Sequence, residues 1–267
     1  MEREHKRHLL KELVFGLYAE GGTEPASARR RVTSLQTSEE LWNEFRALVN
    51  TRPPIPAGDG WLALQDELLE GLISETGIAS IDDARTSSVD PRMRLWRGDI
   101  TTLAADAIVN AANSQMLGCW IPGHHCIDNA IHTFAGVQLR LECARIMAEQ
   151  GHEEPTGQAK LTGAYNLPAA RVIHTVGPIA NGHPSDLQRR QLASCYRSCL
   201  DLAAGHGLRS IALCCISTGE FAFPQQGAAE IAVQTVQAWL DRHGAEMAVV
   251  FNVFTDVDET AYRKLLT

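Results

Sequence analysis

The sequence predicts a three-layer α/β/α domain, built on a central, mostly parallel sheet and preceded by a small all-helical extension. Three observations carry that prediction. From Met93 onward, short β-rich runs alternate with runs of helical periodicity, the pattern that lays helices on both faces of a parallel sheet. Before about residue 80 only helical periodicity occurs, and Ser80 to Pro91, rich in Asp, Ser and Thr, separates the two regimes. With 267 residues, 45% of them hydrophobic and 21% charged, the chain is long enough for one good core plus an appendage. The division expected is a helical extension over 1–90 and the α/β domain over 91–267.

Three apolar stripes define the extension: Leu9, Leu10, Leu13, Val14 and Leu17; Leu41, Trp42, Phe45, Leu48 and Val49; Trp61, Leu62, Leu64, Leu68, Leu69, Leu72 and Ile73. Ser38 with Glu40 starts the second helix, Pro53-Pro54-Ile55-Pro56 closes it, and Asp59 is placed to cap the third. Gly21 to Thr37 reads as a polar connection. No cluster of catalytic residue types falls in this region, so a helical cap packed on the main domain is expected.

In the α/β region strands are expected at Met93 to Trp96, Ala107 to Val109, Lys160 to Tyr165, Val172 to Val176, Ser210 to Cys215 and Ala248 to Phe254. Helices are expected at about 126–135, 137–150, 186–204, 226–243 and 259–266. Three motifs follow strands. Gly98-Asp99-Ile100-Thr101 puts a carboxylate past the first, where it can accept a hydrogen bond from a ligand amino group. Asn110-Ala111-Ala112-Asn113 follows the second with two carboxamides and small residues between them. Ser217-Thr218-Gly219-Glu220-Phe221 lies between an apolar strand and a helix, where free amides can cradle phosphate without the lysine of a P-loop. Singly, each is an ordinary turn. Together they fall at the carboxyl edge of one sheet, where open α/β sheets bind ligands.

The chemically densest stretch runs from Gly118 to His132, where Cys119, His124, His125, Cys126, Asp128 and His132 crowd together. Thiolate sulfur and imidazole nitrogen suit zinc, and Pro122-Gly123 supplies a turn that brings Cys119 toward Cys126. Cys119, His124 and Cys126 are the simplest three-ligand set, with His125 an alternative to His124 that spacing does not separate. Three protein ligands leave a tetrahedral ion one position for water or substrate, the catalytic pattern. Against this stands the plain reading of Cys as a small buried hydrophobe and of His125 or His132 as hydrogen-bonded scaffold; for Cys195, Cys199, Cys214 and Cys215 that plain reading is preferred. A helix opening near Cys126 places Cys126 and Asp128 in its first turn, where the dipole favours anions.

Net charge and cysteine usage narrow the function classes. A formal charge of -8 argues against a nucleic-acid grip through a basic surface. Seven scattered cysteines and a charged N-terminus suggest a reducing, cytoplasmic setting, and no apolar run reaches membrane-spanning length.

Gly98-Asp99-Ile100-Thr101, Asp106 to Asn113 and Ser217-Thr218-Gly219 together resemble a macrodomain, the ADP-ribose-binding fold with a central mixed sheet, over residues 91 to 267. The stretch Gly118 to His132 is similar to that of the zinc-containing macrodomains of microbes, which remove ADP-ribose from proteins and carry a helical N-terminal extension. The resemblance implies that Asp99 and the amide of Ile100 hold the adenine, with Phe254 as its stacking face. It further implies that the amides of Ser217, Thr218, Gly219, Glu220 and Phe221 wrap the diphosphate. Asn113 would position the distal ribose, Asp128 would act on the attacking water or steer the substrate, and one Zn2+ held by Cys119, His124 and Cys126 would clamp that ribose, which favours His124 over His125. The expected function is zinc-dependent removal of mono-ADP-ribose from Asp or Glu side chains of proteins by a monomer that needs neither nucleic acid nor membrane. The alternatives are a reader that binds ADP-ribose without chemistry, and an O-acetyl-ADP-ribose deacetylase. Phe221-Ala222-Phe223 departs from the glycine and tyrosine common at that turn in other macrodomains.

Overall fold

The computed structural model describes residues 1–244 and 246–267. Helices α1 (Arg3–Glu20), α2 (Pro25–Ser34), α3 (Ser38–Thr51) and α4 (Asp59–Thr76) form the extension. Leu9, Leu13, Leu41, Phe45 and Leu68 meet in its buried core. Helix α2 replaces the polar connection expected over 21–37. Pro25 at its first turn and the Glu24 carboxylate, which accepts from the amides of Ala26 and Ser27, start it. It buries only Ala28 and Val32, too thin a stripe for periodicity to register. Thr37, one residue ahead of the expected start, caps α3 in a reciprocal box with Glu40. Gly58 occupies the cap position of α4, and Asp59 is its first helical residue, where its charge still meets the positive helix end.

Then follow β1 (Ala79–Ser80), β2 (Arg85–Thr86), β3 (Met93–Arg97), β4 (Leu103–Ala104), β5 (Ala107–Ala112), α5 (Ile127–Ala135), α6 (Val137–Gln150), β6 (Ala159–Gly163), β7 (Arg171–Val176), α7 (Asp186–Gly205), β8 (Ser210–Leu213), α8 (Gln225–His243), β9 (Ala248–Val253) and α9 (Asp256–Leu266). Among the described residues the main sheet has the order β2-β3-β9-β8-β5-β7-β6. Its interior pairs are parallel and its two edge strands antiparallel, the mixed, mostly parallel sheet expected. Strand β2 lies before residue 90 yet already pairs with β3, and Ile73 and Ala84 join the core of the α/β body.

Helices α7, α8 and α9 pack side by side as one layer, α5 packs with α6, and α3 and α4 of the extension lean on α5. Phe134 touches both cores. Arg140 of α6 is 5% exposed and donates to the carbonyls of Val49 and Arg52 at the end of α3, where the last carbonyls of a helix want partners. Among the described residues no helix is long and apolar enough to cross a membrane.

Candidate active site

A cavity of about 520 Å³ opens where β5, β7, β8 and β9 end, lined by residues just past each strand: Asn113, Gly177, Cys214 and Phe254. Parallel strands all present their carboxyl ends here, so four loops converge on one cleft. Sheet order then sets the sequence of chemistry along the cleft: Phe254 after β9, the loop after β8 next, and Asn113 with the thiol and imidazole loop after β5.

The loop after β8 is wound tightly. Strand β8 ends at Leu213, two residues earlier than its apolar run suggests, because the amide of Ile216 turns back to Cys214 O at 2.9 Å; Cys214 and Cys215 therefore line the cavity. Ser217 and Ala222 adopt positive φ values of 67° and 49°, and Phe223 N donates to Ser217 O at 2.9 Å. Within that turn the amides of Gly219, Glu220 and Phe221 donate to no carbonyl among the described residues, which leaves a concave set of donors suited to an anion. Gly177 makes room for it: a Cβ there would lie 2.1 Å from Ser217 Oγ.

The loop after β5 gathers the ligand atoms. Cys119 Sγ lies 3.4 Å from His124 Nδ1, and one ligand atom each from Cys119, His124 and Cys126 fall within 4.8 Å of one another. Bonds of about 2.3 Å to sulfur and about 2.1 Å to nitrogen at a tetrahedral angle put ligand atoms about 3.6 Å apart, so the donor set fits zinc in both chemistry and spacing. His125 lines the cavity but is outside this group. Burial, with the charges of Cys119 and Asp128 adding, pushes the Cys126 thiol up to about 12 even though the Asn129 amide points at its sulfur from 3.4 Å; a divalent cation would offset that repulsion. The other imidazole nitrogen of His124 faces Glu220 Oε1 across the cleft at 3.5 Å.

Cys126 occupies the cap position of α5 and Asp128 its first turn. Asp128 is 5% exposed, and its Oδ1 accepts from Asn110 Nδ2 at 2.8 Å. Behind it lies a buried chain. Strand register sets Asn110 beside His174, and Asn110 Nδ2 also donates to His174 Nδ1 at 3.1 Å. An amide nitrogen can only donate, so the His174 proton sits on Nε2 and goes to Thr162 Oγ1 at 2.9 Å. Burial pushes the Asp128 carboxyl up to about 6, while the Asn110 bond and the charge of Arg140 work against it. Burial likewise holds His132, whose Nε2 is 3.6 Å from Asp128 Oδ1, well below the usual histidine range.

Of the residues anticipated from sequence, Asn113, Cys119, His124, Cys126, Asp128, Ser217, Thr218, Gly219, Glu220, Phe221 and Phe254 line this single cavity. Asp99 and Ile100 do not. Asp99 Oδ1 accepts from the amide and hydroxyl of Thr101, and Ile100 is buried; they adjoin the site through Asn252, a lining residue whose amide donates to Gly98 O at 2.9 Å. Asn113 uses its side chain locally, on Gly118 O and the amides of Gln115 and Met116, and so shapes the bend into the ligand loop. Sequence reading missed Trp120, Asn252, and His174 and Thr162, to which the motif residue Asn110 is linked. Trp120 stood inside the dense stretch; Asn252, His174 and Thr162 carry no local signal.

A family model described as Macro domain matches residues 109–232. A protein-ADP-ribose hydrolase of Treponema medium is 55% identical over 225 residues, 84% of this chain and 86% of that one. One of Staphylococcus aureus (strain MSSA476) is 51% identical over 227 residues, 85% of each chain. Among solved structures, a Trypanosoma brucei macrodomain in complex with ADP-ribose is 33% identical with a TM-score of 0.63, covering 83% of this chain and 95% of that one. An Oceanobacillus iheyensis macrodomain with MES bound is 38% identical with a TM-score of 0.59, covering 64% and 88%.

Proposed function

Since the chain belongs to the Macro domain family, we propose that it is a hydrolase that removes mono-ADP-ribose from modified proteins, the acceptor being an Asp or Glu side chain joined as an ester. The observation that carries this reading is the placement of a buried carboxylate, Asp128, in the same cavity as an anion-cradling loop and the Cys119, His124 and Cys126 group. A carboxylate kept dry inside the cavity and pushed up to about 6 supports chemistry over nucleotide holding alone.

In this reading the exposed ring of Phe254 stacks on adenine. Asp99, which spends one carboxylate oxygen on Thr101, offers the other to the adenine amino group beside the amide of Ile100. The free amides of the loop from Ser217 to Phe221 hold the diphosphate, and Asn113 fixes the loop that faces the distal ribose. Asp128, oriented by Asn110, accepts a proton from the water as its oxygen adds to the anomeric carbon. The bond from that carbon to the acceptor oxygen breaks, and its electron pair leaves on the acceptor carboxylate. A zinc ion held by Cys119, His124 and Cys126 would supply a Lewis-acidic charge beside the ribose oxygens.

The test is release of ADP-ribose from an ester-linked mono-ADP-ribosylated protein. Wild-type protein should release it, and treatment with a strong chelator or Asp128→Ala should abolish release while ADP-ribose binding persists. Tight binding with no release from ester-linked protein would sink the reading; release of acetate from O-acetyl-ADP-ribose alone would redirect it to a smaller ester.

A further inference from the structure

We propose that helix α3 of the extension is a brace for the metal loop, with Arg46 and Asn50 as the positioning residues that hold Cys119, His124 and Cys126 in ligating geometry. The inference rests on the zinc reading above and gives the extension a part in the site.

Arg46 and Asn50 stand four residues apart, hence on one face of α3, and both reach into the loop. Asn50 is 1% exposed; its Oδ1 accepts from the amide of Gly123 at 2.9 Å, and its Nδ2 donates to Thr133 Oγ1 of α5 at 3.1 Å. It thereby fixes the left-handed turn at Gly123 (φ 65°) against the helix that carries Asp128. Arg46 Nη2 donates to His124 O at 3.2 Å and to Asn129 Oδ1 at 3.0 Å. Asn129 in turn donates its side-chain amide to Ile121 O and its backbone amide to Cys126 Sγ. Two side chains from α3 therefore hold the ligand loop from Ile121 to Cys126, directly at Gly123 and His124 and through Asn129 at Ile121 and Cys126.

Docking alone does not call for this arrangement. The extension already packs on the α/β body through Phe134 and Val137, and burying a guanidinium is costly. Arg46 Nε finds no partner among the described residues, and the charge lies close enough to Cys126 to interact with it. A half-buried cation near the Cys126 thiol is unfavourable as packing and favourable as support for a thiolate ligand.

The experiment measures the zinc affinity of the full chain by competition with a chromogenic chelator, together with its melting temperature. Arg46→Ala and Asn50→Ala should weaken zinc about 10- to 100-fold. Arg46→Lys, which keeps the charge and one donor, should recover part of the loss. Leu10→Ala, which opens a cavity in the helical core, should lower the melting temperature and leave zinc affinity unchanged. If Asn50→Ala fails to fold, Arg46→Ala on its partly exposed side chain carries the test. Unchanged zinc affinity in folded variants, or an equal loss in Leu10→Ala, overturns the brace. A wild-type chain that takes up no zinc overturns the zinc reading, and the brace falls with it.

Discussion

Asp128 is the residue at which folding and chemistry make opposite demands. Burial raises its carboxyl to about 6 from an unfolded value near 4, so at pH 7 the folded protein carries an ionised group that prefers water. That penalty is about 3 kcal/mol. Asp128→Asn keeps an oxygen for Asn110 Nδ2 and removes the charge. We therefore expect the variant to melt higher than the wild type at pH 7 while its turnover falls about 10²- to 10⁴-fold. Melting curves run beside the release assay check this, and a variant that melts lower with turnover intact contradicts it. Asp128 was legible in the sequence because the groups around it are chemically distinctive and lie within fourteen positions. Its supports were not, since Asn110, Thr162 and His174 meet only through strand register.

At the scale of elements, the convergence of strand ends does what no single loop could. The turn from Ser217 to Phe221, proposed above to hold the diphosphate, depends on a neighbour from a different strand: Gly177, just past β7, packs against Ser217 and Ile216, and a Cβ there would sit 2.1 Å and 2.8 Å from their side chains. Ser217 is already at positive φ, so it has little freedom to retreat. Gly177→Ala should displace the turn at a cost of about 1–3 kcal/mol, read as a loss of ADP-ribose affinity of about tenfold or more. Titration calorimetry checks it, with zinc uptake as the control that should not move. Strands and long helices of this body were readable because their apolar runs or stripes are strong. Helix α2 was not, with two buried residues among ten, nor was the pairing of β2 with β3, two residues long. The gathering of Cys119 and Cys126 with one of two adjacent imidazoles was readable because it needs only a local turn, with the resemblance favouring His124, whereas the approach of Arg46 and Asn50 from 78 and 73 positions away was not.

The whole molecule should weaken in mild acid, and the sign follows from its buried titratable groups. His174 is held down at about 3 by burial, and His132 well below the usual range by burial, by His174 and by Arg140. Below about pH 6.5 the unfolded chain protonates both while the folded chain does not. Stability from these groups is therefore complete above pH 6.5 and is lost as pH falls toward 3. His174 alone accounts for about 2 kcal/mol by pH 5. Asp128 works the other way, since its raised carboxyl takes up a proton in the folded state first and returns about 1 kcal/mol between pH 6 and 5. Two histidines outweigh one carboxyl, so the net change is a loss. Because Phe134 joins the cores of the extension and the α/β body, the loss should appear in one cooperative transition. Urea unfolding of chelator-treated protein at pH 7 and pH 5 measures it, and His174→Gln should flatten the difference; equal stability of the wild type at both pH values would contradict the assignment of neutral, dry histidines beneath the site.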